Sequence, residues 1–138
     1  MATLDNLYII AEAKDIGIIE TPLLKNNAIS LRSMNWDCDI VLKKKSNTTA
    51  EKKTILAHEL GHCIRGALYN EKTPILSRVM CEQWADEWAI EHLIEYDELL
   101  RESRGAYNRT WELAEYFGVR ESLIKKAIQY YEIPGWNW

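Results

Sequence analysis

Read at helical periodicity, the stretch RVMCEQWADEWAIEHL (Arg78 to Leu93) lines up Val79, Ala85, Ala89, Ile90 and Leu93 on one apolar stripe. Glu82 and Asp86 fall in the middle of it. Gln83, Glu87 and Glu91 point elsewhere. Burying unpaired carboxylates is costly, so this helix can pack only against something that satisfies them: a cation, a ring N–H or a metal ion. The flanking alanines leave room for a second helix to come close.

The chain holds one obvious partner, TILAHELGHCIRG (Thr54 to Gly66). Residues four apart stack on one helix face, so His58 and His62 lie on one side with Glu59 beside them. Leu56, Ala57, Leu60, Cys63 and Ile64 form the opposite, core-facing stripe. This is HExxH, a pattern that places two imidazoles on one ion and a glutamate next to it as general base. A catalytic zinc site takes three protein ligands and keeps an open position. The extension that would supply a third histidine fails, because Arg65 and Leu68 occupy its glycine and histidine positions. Glu82, the longer of the two carboxylates, suits the third ligand. Asp86, one turn on, suits the ring N–H of His58, a contact that orients a ligand histidine. The competing readings are a salt bridge from Arg65 or Arg78 to these acids, His92 as an alternative ligand, and two histidines on a helix surface with no ion. Cys63 and Cys81 adjoin the site in sequence but point away from it, Cys63 toward the core.

At 138 residues, 47% hydrophobic and 28% charged, the chain is expected to form a single domain over 1–138. A helix is expected over Asp5–Lys14, then a β-rich run, IGIIETPLL, interrupted by Pro22. Two strands, AISLRSM and CDIVLKK, read as a hairpin around NWD. TTAE, Thr48 to Glu51, reads as a capping box opening the HExxH helix. A long helix should run from about Leu76 or Arg78 toward Leu100, and two shorter helices close the chain. Helix, small sheet, then helices is an α+β pattern. The three cysteines, odd in number and without CxxC, read as reduced and intracellular. The N-terminus reads as neither signal peptide nor membrane span, which points to a cytoplasmic protein.

WELAEYFGVRESLIKKAI, within a hairpin over about 107–133, has the spacing of a helix-turn-helix at Ala114, Gly118, Val119 and Ile124. That raises an alternative: a DNA-binding or partner-binding regulator whose metal site is structural or sensory. Charge argues against nucleic acid. The chain carries net −4, and Asp97 to Ile133 holds six Lys/Arg against seven Asp/Glu. Trp136 and Trp138, in the tail EIPGWNW, are expected to pack back onto the domain.

Together, HELGH and the later CEQWADEWAIEHL resemble the ImmA/IrrE family of metallopeptidases. Glu82, Ala85, Asp86, Trp88, Ala89 and Leu93 fit its second motif, and the resemblance extends over nearly the whole chain. It implies a minimal zincin-like fold, with the active-site helix on a small, mostly antiparallel sheet. It implies zinc on His58, His62 and Glu82, with manganese or another divalent ion as an alternative, and Glu59 as the catalytic acid/base. It implies no small-molecule cofactor and, as substrate, an XRE-like helix-turn-helix repressor of a prophage or mobile element. The family's Leu-Leu-Met-Pro is replaced by His92-Leu93-Ile94-Glu95, so the helix is expected to continue. An oxyanion donor is required, but spacing does not choose among seven tyrosines. CDIVLKK or its neighbour is expected to hold substrate as an added strand.

Overall fold

The computed structural model describes residues 2–32, 37–45, 47–105, 107 and 109–136. The order of elements is α1 (Leu4–Ala13), β1 (Gly17–Thr21), β2 (Ala28–Arg32), β3 (Cys38–Lys43), α2 (Thr49–Ile64), α3 (Ile75–Leu93), α4 (Tyr96–Arg104), α5 (Thr110–Phe117) and α6 (Glu121–Tyr130). This is the expected α+β class. The sheet order is β1-β3-β2. β2 pairs antiparallel with β3, with Ser30 opposite Ile40, so the expected hairpin partners meet. Asn35 and Trp36 of the expected NWD turn lie outside the described residues. β1 pairs parallel with β3, so the sheet is mixed rather than mostly antiparallel. The chain leaves β1, crosses to lay down β2, and returns to insert β3 between them. β3 is therefore central and cannot offer a free edge to a substrate, whereas β2 lies at the margin.

α2 begins where the Thr48 hydroxyl accepts from the Glu51 N–H at 3.1 Å, satisfying one of the amides that a helix start leaves orphaned. Leu56, Ala57 and Leu60 are fully buried, with Leu7 of α1, Ile40 of β3 and Ile90 of α3 in the same core. α3 and α4 are two helices, not one. The helix stops at Leu93 because Ile94 adopts an extended conformation with its side chain fully buried. The Tyr131 hydroxyl donates to the Ile94 carbonyl at 2.8 Å, so the interruption leaves that acceptor satisfied. Glu95 then starts α4, with Asp97 and Glu98 in its first turn and Arg101 and Arg104 in its last, each sign set against the helix dipole. The continuing helix expected from the missing proline is thereby corrected.

α5 ends at Gly118, whose left-handed φ of 65° allows the sharp turn into α6. That turn is bolted to α2. Buried Lys53 donates its ammonium to the Phe117 carbonyl at 2.8 Å, and the Arg120 N–H donates to Thr54 Oγ1 at 3.0 Å. Leu123, Ile124, Ala127 and Ile128 of α6 face the core. The helix-turn-helix-like hairpin thus spends its turn and its apolar face on this domain. Trp136 packs on the core as expected, and Trp138 lies outside the described residues. Among the described residues no helix is long and apolar enough to cross a membrane.

Cys38 and Cys63 form a disulfide, with Cα atoms 5.5 Å apart. This corrects the expectation of three reduced thiols and of Cys63 as simple packing. The bridge joins the start of β3 to the last turn of α2, which sequence spacing gave no means to foresee. Cys81 is free.

Candidate metal centre

The site exists because α2 and α3 touch backbone to backbone. A Cβ built on Gly61 would stand 2.6 Å from the Ala85 carbonyl oxygen and 2.8 Å from its Cα, so only glycine fits between His58 and His62 at this crossing. The close approach turns the HExxH face of α2 onto Glu82 and Asp86 of α3. His58 Nε2 lies 2.7 Å from Glu82 Oε2, His62 Nε2 lies 3.4 Å from the same oxygen, and the two imidazole nitrogens are 3.1 Å apart. Bonds of about 2.1 Å at tetrahedral angles would separate ligand atoms by roughly 3.4 Å, so the triangle has the size an ion needs, slightly contracted. His58, His62 and Glu82 form a group able to hold a metal ion, and two imidazoles with one carboxylate suit zinc and several other divalent ions.

The far side of each ring is fixed as well. His58 Nδ1 meets Asp86 Oδ1 at 2.7 Å, and His62 Nδ1 donates to the Ala67 carbonyl at 2.7 Å. Such contacts set the tautomer and leave Nε2 facing the triangle. The arginines that could have neutralised the acids are occupied elsewhere. Arg65 reaches Glu91 at 3.3 Å, and Arg78 donates to the Thr73 carbonyl at 2.8 Å. His92 stacks on Trp88 with ring centroids 3.9 Å apart and bonds the Trp88 carbonyl, away from the triangle. The cation that does reach Asp86 is Lys126 of α6, at 2.7 Å from Oδ2.

Two imidazoles and two carboxylates meet here within hydrogen-bond distance. Burial opposes protonation of His58, but the carboxylates of Asp86 and Glu82 outweigh it and hold the ring up at about 9. For His62, burial is likewise outweighed, by Glu82 and the Ala67 carbonyl. Hydrogen bonds from His58 and His62 hold Glu82 well below the usual carboxylate range. Burial would raise Asp86, yet His58 and Lys126 bring it down. The carboxylates thus favour positive charge at both imidazoles, which is the setting a bound cation needs.

Glu59 stands apart from the triangle. Its carboxylate accepts a hydrogen bond from the Ser30 hydroxyl of β2, which ties the helix to the marginal strand. It lines two cavities that flank the centre, of about 250 and 290 Å³. The first is bounded by Asn27, Arg120, Ser122 and Lys126, and the second by Ile29, Leu68 and Tyr69. The Tyr69 hydroxyl donates to Glu82 Oε1 at 2.6 Å, and this bond, with some burial, pushes its own ionisation up to about 12. Ser30, Lys126, Tyr69 and the Ala67 carbonyl were not identified from the sequence. No periodicity ties them to HExxH.

The sequence model of the M78 peptidase family, described as the IrrE N-terminal-like domain, matches residues 11–129. No curated protein and no solved structure matches the chain.

Proposed function

The chain belongs to the M78 peptidase family with its IrrE N-terminal-like domain, a metallopeptidase type, and from that premise we propose that it is a zinc-dependent endopeptidase. His58, His62 and Glu82 would hold the ion, and Glu59 would be the catalytic acid/base. When bound, the ion supplies Lewis-acid polarisation of a peptide carbonyl and activation of water. Glu59 takes the proton of the attacking water and returns it to the leaving amine. The observation that carries this reading is the position of the Glu59 carboxylate. It lies outside the ligand triangle, anchored to β2, and open to cavities on both sides. A peptide laid along β2 as an added strand would pass both. Tyr69, kept protonated, is the proposed donor to the developing oxyanion.

The proposed substrate is a helix-turn-helix repressor of XRE-like type, cleaved in the cytoplasm. The substrate rests on the family resemblance, and the compartment on the cysteine pattern and the N-terminal sequence. The Cys38–Cys63 bridge sits awkwardly with a reducing compartment. A role for the C-terminal hairpin in DNA binding gains no support, since its turn and apolar face are docked on α2 and the core. Co-expression with a candidate XRE-like helix-turn-helix repressor tests the proposal. Wild type should cleave it. Glu59→Gln should bind zinc as tightly yet lose cleavage by at least about a hundredfold, in the range of a general acid/base. An intact repressor with zinc-loaded wild type, or equal cleavage by Glu59→Gln, refutes it.

A further inference from the structure

α6 reaches the metal centre through Lys126. Its buried face of Leu123, Ile124, Ala127 and Ile128 fixes the rotation of the helix, and Lys126, at the edge of that face, extends to α3. Lys126 Nζ lies 2.7 Å from Asp86 Oδ2, while Asp86 Oδ1 lies 2.7 Å from His58 Nδ1. Each oxygen of one carboxylate thus has one partner, and the relay runs α6 to α3 to α2. We propose that Lys126 is a positioning residue for the metal centre: it locks the Asp86 carboxylate so that Asp86 can hold the His58 ring with Nε2 directed into the ligand triangle.

Asp86 is largely buried, with its side chain 19% exposed. Without Lys126 its second oxygen would lose its partner, and the carboxylate would be free to turn away from His58 or toward the ion itself. Lys126 itself is 54% exposed, so replacing it opens no gap in the core. Its effect on metal binding should therefore exceed its effect on stability, and variants should fold. The C-terminal hairpin is, on this account, a working part of the metal centre.

The inference rests on the triangle being a metal site, and the experiment separates the two. Zinc affinity is measured by competition with a chromophoric chelator, and the coordination sphere by the visible spectrum of the cobalt(II) form. Full-length wild type, Lys126→Met, Lys126→Arg and Lys125→Met are compared. Lys126→Met should lose roughly tenfold in zinc affinity, at the lower end of what loss of a histidine's outer partner costs, and should change the cobalt spectrum. Lys126→Arg should restore both, because it supplies the same charge and donors. Lys125→Met, on the neighbouring exposed side chain paired with Glu121, should match wild type. Unchanged affinity and spectrum in Lys126→Met overturn the positioning role, as does failure of arginine to rescue. Wild type that binds no zinc overturns the metal reading itself, and the role of Lys126 with it.

Discussion

Gly61→Ala sets two effects of opposite sign against each other. In a free helix the change would stabilise by about 1 kcal/mol, since alanine is the better helix former. Here the new methyl would stand 2.6 Å from the Ala85 carbonyl oxygen and 2.8 Å from its Cα. Comfortable carbon contacts begin near 3.5 Å, and both opposing atoms are backbone, so neither can swing aside. α2 and α3 must separate by roughly 0.7–1 Å. Overpacking of this kind costs about 1–3 kcal/mol. The net change should lie between about zero and 2 kcal/mol of destabilisation, lowering Tm by up to about 8 °C for a chain of this length. The larger effect should fall on the metal. His58 and His62 flank Gly61 on α2, and Glu82 lies one turn before Ala85 on α3, so the same separation opens the ligand triangle. Coordination distances tolerate only about 0.2 Å. Zinc affinity should fall at least about tenfold, read by chelator competition beside a thermal melt of the apo protein. A variant stabilised by the full helix-propensity gain, with wild-type zinc affinity, would show that the two helices do not meet at this contact.

Two further outcomes are expected. His58 is raised from its ordinary 6.5 to about 9 in the metal-free fold. Its contribution to apo stability should be fully present below about pH 6.5 and lost as pH rises through about 9. An ion must displace that proton, so zinc affinity should climb over the same window with proton release seen by calorimetry in buffers of different ionisation enthalpy; a flat profile contradicts this. For the Cys38–Cys63 bridge, closing a separation of 25 residues, Cys38→Ser should cost about 3.5 kcal/mol in denaturant unfolding. Thiol titration of unreduced, denatured wild type should find one free thiol, Cys81, and three would rule the bridge out.

The heart of the centre was legible because helical periodicity alone brings residues four apart onto one face. His58 and His62 needed nothing more, and Glu82 and Asp86 betrayed themselves as acids in an apolar stripe. The alanines beside them announced a close helix approach, while the part of Gly61 in it emerged only from the structure. What could not be read depends on tertiary placement. Ser30 reaches Glu59 only because β3 inserts between β1 and β2, and Lys126 reaches Asp86 only because α6 folds back over α3. The break at Ile94 carried neither proline nor glycine. It is held by burial of the isoleucine and by a hydroxyl 37 residues away, and neither signal is local. Three cysteines with no recognisable spacing gave no means of choosing which two would meet.

The docking of the α5–α6 turn on α2 also sets a schedule. Lys53 and Thr54 are buried polar groups on the helix that carries both histidines, yet their partners, the Phe117 carbonyl and the Arg120 amide, lie 64 and 66 residues later in the chain. At about 5–20 residues per second of synthesis, that helix emerges several seconds before the groups that satisfy it. Until then the Lys53 ammonium has only water to bond, whereas the Thr54 hydroxyl keeps its bond to the Ala50 carbonyl within α2, at 2.8 Å. The helix that carries both histidines thus gains the partner of its buried lysine only when the α5–α6 turn has been made.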